Sequence, residues 1–288
     1  MSALVNYNGK LENAGAPLLK VDNRGFRFGD STFETIRIFN GSPLFLNDHI
    51  NRLKQGILAL KMELSEQYST AFFFEQIENL IKANALTGGG RLRLTVFRNG
   101  NSGYTPQTNS TSYLIETYPI EENEYVLNQK GYNIDIYNEV KKQQNTLSSI
   151  KSGNSILYVM AAVYKTGKGL DDCVLMNTKG DVIESINSNI FAVKNGVLYT
   201  PPVAEGCVDG ILRKKIIEVA FKNRIAVYEI NLAQSVLLSA DELFLTNVIG
   251  GLRWVGAYKN KRYFNTTSKL LTAKLNEYIS AKKESLPE

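Results

Sequence analysis

The sequence predicts an α+β protein of two domains, on three observations. The chain runs to 288 residues, more than one hydrophobic core usually organises. Short runs of strand length are mixed with amphipathic helical stretches, without the regular strand–helix–strand alternation of a parallel sheet. An acidic, aperiodic stretch over residues 119–128 divides the chain. The expected boundaries are therefore a first domain over 1–118, a linker over 119–128 and a second domain over 129–288.

The elements follow in order. Leu4 to Asn8 is a strand ending at Asn8-Gly9, and Thr35 to Phe39 and Pro43 to Leu46 flank Asn40-Gly41; both dipeptides are hairpin signals. Asn47 or Asp48 is placed to cap a helix reaching about Leu60, with Ile50, Leu53 and Ile57 at helical spacing. Phe72 to Ala83 repeats the pattern. After three glycines, Arg91 to Arg98 alternates as a strand that Ser112 to Tyr118 can pair. Beyond the linker, Tyr132 to Tyr137 reads as strand and Ser155 to Tyr164 as helix. Four short strands follow, at Asp172 to Met176, Val182 to Glu184, Ile190 to Val193 and Val197 to Thr200. Gly210 opens a helix to Phe221, Glu242 to Thr246 is a strand, and Thr266 to Ala281 closes as a helix.

Composition narrows the class. With 43% hydrophobic and 21% charged residues, the chain reads as a globular protein. The first fifteen residues lack the basic and apolar regions of a signal peptide, and no apolar run approaches the roughly 18 residues of a membrane span. Cys173 and Cys207 form no C-x-x-C pair, which fits a reducing cytoplasm and argues against structural zinc. The net charge of +5 is spread along the chain rather than gathered in a stripe, so no nucleic-acid partner is expected.

One stretch concentrates chemistry. From Glu184 to Arg213 the chain reads E-S-I-N-S-N-I-F, then L-Y-T, then V-D-G-I-L-R. This resembles the signature of the class IV aminotransferases, with Glu184, Asn189, Phe191, Leu198, Thr200, Val208, Gly210, Ile211 and Arg213 at the fixed positions. The resemblance implies a fold type IV enzyme similar to D-amino-acid aminotransferase, with pyridoxal 5′-phosphate between its two domains. Such a cofactor needs a lysine for its aldehyde, an anion at its ring nitrogen and a donor-rich site for its phosphate. Glu184, ending a strand, suits the ring nitrogen. Gly210, Ile211 and Leu212 open a helix whose free N–H groups and dipole favour a phosphate.

The lysine is expected at Lys151, in S-S-I-K-S-G-N-S-I-L, which precedes Glu184 by 33 residues, the interval the resemblance implies. Small neighbours there leave room for a bulky ring. Lys141 and Lys142, followed by two glutamines, read as a solvated pair. Lys165 and Lys168 end a helix, where cations are stabilising for structural reasons.

The first half agrees. R-G-F-R-F-G-D-S-T-F-E-T-I-R-I-F-N-G, from Arg24 to Gly41, resembles the family's opening block, and H-I-N-R-L follows, implying a phosphate contact at Arg52. F-L-T-N-V-I near the end occupies the place of the second phosphate turn and implicates Thr246, Asn247 and Val248.

The family holds branched-chain transaminases, D-amino-acid transaminases and aminodeoxychorismate lyases. Lys151-Ser152-Gly153-Asn154 matches the K-x-x-N of the latter two, while branched-chain enzymes place a tyrosine five residues after the lysine and G-T-A at the phosphate turn. Arg93 falls where branched-chain enzymes bind a substrate carboxylate. Arg98-Asn99-Gly100 lacks the histidine of the D-amino-acid carboxylate trap. Asn247 and the loop R-N-G-N-S-G-Y, Arg98 to Tyr104, resemble the lyases. The expectation leans to lysis of 4-amino-4-deoxychorismate to p-aminobenzoate and pyruvate, a step of folate biosynthesis. Transamination of a branched-chain or D-amino acid with 2-oxoglutarate stays open. Arg93, Arg98 and Tyr104 are the expected substrate contacts, no metal is expected, and the resemblance implies a cytoplasmic homodimer acting on a small amino substrate.

Overall fold

A computed structural model describes residues 3–284. The chain forms two compact units, one from residues up to Asn123 together with Ile150–Ser155, the other from Glu124–Ser149 and the chain from Ile156 onward. The division falls inside the stretch expected to link the domains. The short segment carrying Lys151, expected in the second domain, packs with the first, because its backbone is hydrogen-bonded to a strand there.

In the first unit β1 (Leu4–Tyr7) and β2 (Lys10–Asn13) turn at Asn8 and Gly9, with φ of 50° and 87°, the left-handed pair that a tight hairpin demands. A short helix, α1 (Arg24–Phe28), is capped by Asn23, whose side chain accepts from the Phe26 N–H. β3 (Ser31–Phe39) returns through Asn40-Gly41 into β4 (Ser42–Pro43). α2 (Leu46–Ala59) and α3 (Thr70–Ala83) precede β5 (Gly89–Arg98) and β6 (Thr111–Ile120). The expected cap of α2 is displaced. Phe45 holds the capping position without a side-chain bond, and Asn47 instead accepts from the Thr70 hydroxyl on α3.

The strands make an antiparallel sheet in the order β2-β1-β6-β5-β3-β4. Ile36 and Ile38, Leu92, Leu94 and Val96, and Tyr113 and Ile115 pack against Ile50, Leu53, Ile57, Phe73, Ile77 and Leu80 of the two helices. Each such side chain taken from water contributes about 1.5–3 kcal/mol. By strand alternation the other face carries Phe33 and Thr35, Arg91 and Arg93, and Glu116 and Tyr118, all at least partly accessible.

The second unit contains β7 (Tyr132–Lys142), α4 (Ile156–Gly167), β8 (Asp172–Asn177), β9 (Val182–Ser185), β10 (Asn189–Lys194) and β11 (Val197–Thr200). A single 3-10 turn at Val203–Glu205 leads to α5 (Ile211–Lys222). Then come β12 (Val227–Glu229), α6 (Gln234–Ser239), β13 (Glu242–Asn247), β14 (Gly251–Tyr258), β15 (Lys261–Arg262) and α7 (Thr266–Glu284). The strand path is β12-β11-β10-β13-β14-β7-β8-β9, and β9 also pairs with β10 at Glu184 and Asn189. The sheet therefore closes on itself, and Glu184 sits on the seam.

The sequence reading omitted β14, which opens on Gly251 and contains Gly256. A Cβ at Gly256 would lie 3.0 Å from the Gly131 Cα, so close backbone packing explains the glycine that obscured the strand. It also stopped β7 at Tyr137, five residues short of Lys142.

Candidate active site

In the first unit, the Lys151 carbonyl accepts from the Phe33 N–H at 2.9 Å and the Thr32 hydroxyl at 3.1 Å, and Gly153 donates to the Ser31 carbonyl at 2.8 Å. These bonds pin the segment across the start of β3. A Cβ on Gly153 would lie 2.2 Å from Ser31 Oγ and 2.9 Å from the Gly29 carbonyl oxygen. The glycine beside Lys151 is thus required by backbone crossing, a different reason from the room for a ring that the sequence suggests. The Lys151 Nζ stands 4.3 Å from the Phe33 ring centroid, and Arg93 places its guanidinium carbon 3.7 Å from the same centroid. Arg91, two residues along the same face, stacks on Tyr118 at 4.4 Å. Asn154 is exposed.

Arg52 lies on α2 facing the sheet. Its Nε and one terminal nitrogen reach the two oxygens of Glu34 at 2.7 and 2.5 Å, and His49 Nδ1 reaches Glu34 at 2.7 Å. Glu34 is 1% exposed. Burial alone pushes its carboxyl up, but Arg52 and His49 outweigh burial and bring it down to about 2. Burial pushes His49 below its usual value despite the Glu34 hydrogen bond, so the ring is neutral at pH 7 and donates through Nδ1. The expected phosphate ligand therefore belongs to a buried ion-pair cluster, and the histidine of H-I-N-R-L orients its carboxylate.

Two expected substrate contacts have other partners within the first unit. Arg98 is buried, with Nε on Asp30 at 2.9 Å and its terminal nitrogens on the Leu60 and Lys61 carbonyls and the Asn109 side chain. Those bonds commit the guanidinium to holding β5 against the end of α2. Tyr104 is 88% exposed and tilts against Phe28. Its loop is anchored through Arg24, which donates to the Ser102, Gly103 and Tyr104 carbonyls.

In the second unit, Glu184 is 3% exposed and accepts three hydrogen bonds. Its Oε2 accepts the Val208 N–H at 2.8 Å, while Oε1 accepts from Lys142 Nζ at 2.5 Å and the Tyr158 hydroxyl at 2.9 Å. Asn189 donates to the Val208 carbonyl at 2.8 Å. The two seam residues thus hold Val208 through both its N–H and its carbonyl, and fix the entry to α5. Lys142, expected to be solvated, is buried to 10% side-chain exposure, because β7 continues past Tyr137 and delivers it to Glu184.

The N-terminus of α5 has no side-chain cap, its capping residue being Gly210. A Cβ there would fall 1.9 Å from Asn189 Oδ1. Asn189 is the register partner of Thr246, so the start of α5 and the end of β13 meet around one side chain. Thr246 Oγ1 is buried without a hydrogen-bond partner. A buried hydroxyl in that state costs about 1–3 kcal/mol unless a ligand or water satisfies it. After it, Asn247 accepts from the Ile249 and Gly250 N–H groups at 3.1 and 2.7 Å and donates to Ser188 at 2.8 Å. The Val248 carbonyl accepts from Tyr125. Uncapped helix donors and an orphaned hydroxyl fit a phosphate group. Arg213, also in the motif, is spent on Glu229 and the Pro201 carbonyl.

Among the described residues no group of three or more histidine, cysteine, aspartate or glutamate side chains is arranged for a metal, and no helix is long and apolar enough to cross a membrane.

A family model described as amino-transferase class IV matches residues 31–258. The chain is similar to a D-alanine aminotransferase of Bacillus licheniformis, 29% identical over 84% of each chain. It is also similar to an aminodeoxychorismate lyase of Bacillus subtilis, 27% identical over 85% of this chain and 83% of that one. It shares its fold with the crystal structure of a branched-chain aminotransferase from Thermoproteus uzoniensis, at a TM-score of 0.89 and 21% identity over 99% and 97% of the two chains.

Proposed function

The chain belongs to the class IV aminotransferase family, and from that premise we propose that it holds pyridoxal phosphate through Lys151 and releases p-aminobenzoate and pyruvate from 4-amino-4-deoxychorismate. The cofactor, when bound, supplies the electron sink that stabilises negative charge on the substrate carbon bearing nitrogen. Glu184 suits the ring nitrogen because its Oε2 keeps one lone pair beyond the Val208 N–H. The N–H groups of Ile211 and Leu212, the Thr246 hydroxyl and the Asn247–Val248 turn suit the phosphate, and the resemblance adds Arg52, whose Nε and one terminal nitrogen are held by Glu34.

Lys151 is the acid–base group. Its amine takes the proton from the carbon bearing nitrogen. The carbon–oxygen bond to the enolpyruvyl group breaks, the electron pair leaves with oxygen, and the ring becomes aromatic. Lys151 returns the proton to the enol carbon, giving pyruvate. Arg93 and Arg91, on one face of β5 beside Phe33 and Lys151, offer two guanidiniums to a substrate with two carboxylates.

Asn247 carries the choice of lysis. Its side chain builds the phosphate turn by capping two N–H groups and tying the turn to Ser188, which the G-T-A of branched-chain enzymes cannot do. Transamination is the second reading, supported by the position of Arg93 beside Phe33 and by the D-alanine aminotransferase relative.

The test is to supply 4-amino-4-deoxychorismate to cofactor-loaded protein and measure p-aminobenzoate. Turnover that disappears in Lys151→Ala supports lysis. Absence of product from loaded protein, with exchange between leucine or D-alanine and 2-oxoglutarate, overturns it in favour of transamination.

A further inference from the structure

Lys142 is a buried ammonium with every donor spent. Its Nζ donates to Glu184 Oε1 at 2.5 Å, to the Tyr158 hydroxyl at 2.8 Å and to the Ser148 carbonyl at 2.9 Å. An ammonium has three N–H donors, so it is saturated. Tyr158, in the first turn of α4, accepts one of these bonds and donates its own hydroxyl hydrogen bond to the same Glu184 oxygen. The arrangement is a closed triangle of ammonium, phenol and carboxylate.

Other groups around Glu184 do not replace this charge. Val208 offers only a backbone N–H, and the thiol of Cys207, beside it, is pushed up to about 12 by burial and stays neutral. The cross-strand neighbours of Glu184 are Leu175 on β8 and Asn189 on β10, neither of which ionises. Lys142 is thus the cation that sets the state of this carboxylate among the groups that face it.

We propose that Lys142 is a positioning residue that keeps Glu184 ionised and aimed, with Tyr158 as the brace that fixes the ammonium, so that Glu184 enters cofactor binding as an anion. This rests on the reading of Glu184 as the partner of the ring nitrogen. The proposed effect of Lys142 runs through the carboxylate that its ammonium holds.

The experiment measures the dissociation constant of pyridoxal phosphate for the full chain by equilibrium dialysis between pH 5.5 and 8.5. Wild type, Lys142→Met, Lys142→Arg and Tyr158→Phe are compared, with far-UV circular dichroism and urea midpoints of the cofactor-free proteins alongside. Lys142→Met is expected to bind at least tenfold more weakly than wild type across this range, because Glu184 loses the ammonium that aims it. Lys142→Arg restores the charge and should parallel wild type. Tyr158→Phe keeps the charge and should shift affinity by less than Lys142→Met at every pH. If Lys142→Met proves unfolded, Glu184→Gln added to it should recover folding, since an unpaired buried carboxylate is then removed; no recovery overturns the proposal. Lys142→Met that is folded and binds as tightly as wild type overturns it as well. A wild-type protein that binds no pyridoxal phosphate overturns the cofactor reading, and this inference with it.

Discussion

Replacing Glu34 with glutamine removes the one negative charge in the buried cluster beneath β3 while nearly conserving volume. Glu34 holds Arg52 through two hydrogen bonds and His49 through one, at 1% exposure. Its carboxyl lies at about 2 when folded and at an ordinary 4.5 when unfolded. The difference of about 2.5 units corresponds to about 3 kcal/mol of stability. A folded value below the unfolded one means that this stability is fully present above about pH 4.5 and is lost as the pH falls toward 2. Glu34→Gln also removes the carboxylate that the buried Arg52 guanidinium faces, and breaking a buried ion pair costs about 3–5 kcal/mol at neutral pH. Urea unfolding followed by circular dichroism at pH 7, 5, 4, 3 and 2.5 should show Glu34→Gln several kcal/mol weaker at pH 7, with the gap narrowing steadily below pH 4.5. A variant equal to wild type at pH 7, or a gap constant across the series, would refute the assignment of an ionised, doubly bonded Glu34.

His49 is depressed by burial and stays neutral in the folded chain, so the unfolded chain binds the extra proton and stability should fall from pH 7 to pH 5; His49→Gln should flatten that limb in the same urea series. Gly210→Ala puts a Cβ 1.9 Å from Asn189 Oδ1, so Asn189 must leave the Val208 carbonyl, and dialysis should show pyridoxal phosphate bound at least tenfold more weakly. Gly153→Ala meets the Gly29 carbonyl at 2.9 Å and should displace the Lys151 segment from β3, lowering kcat by about a hundredfold in a turnover assay. Arg98→Gln should cost about 2–4 kcal/mol in unfolding while leaving KM within twofold, because the guanidinium serves backbone carbonyls and Asp30 rather than substrate; a large rise in KM with unchanged stability would return Arg98 to the substrate site.

Local signals were the legible ones. Asn8-Gly9 and Asn40-Gly41 specify left-handed turn residues from two letters, and both hairpins form there. The amphipathic spacing of Ile50, Leu53 and Ile57 marked the face of α2 that meets the sheet. Lys142 was not legible, since K-K-Q-Q looks solvated and only the pairing of β7 with β8, and of β8 with β9, brings the second lysine to Glu184. The partners of Arg98 were hidden for the same reason. A strand-end arginine beside a glycine loop resembles a substrate contact until Asp30, Leu60 and Asn109 arrive from distant sequence to occupy it. The seam between Glu184 and Asn189 is another long-range fact, although its two residues sit in the motif that first drew attention. Charge and hydrogen-bond partners that come from far along the chain leave no periodic trace, and that is where the reading of residues stopped.

Two lysines compete for the cofactor's aldehyde. Lys142 is locked against Glu184 with its three donors used, while Lys151 is held by its backbone with its Nζ over Phe33. The most direct measurement is borohydride reduction of the pyridoxal-phosphate-loaded protein, followed by proteolysis and mass mapping of the modified lysine. The account predicts a single adduct on Lys151. An adduct on Lys142 would contradict it, because the residue assigned to steady Glu184 would then be the one that carries the cofactor.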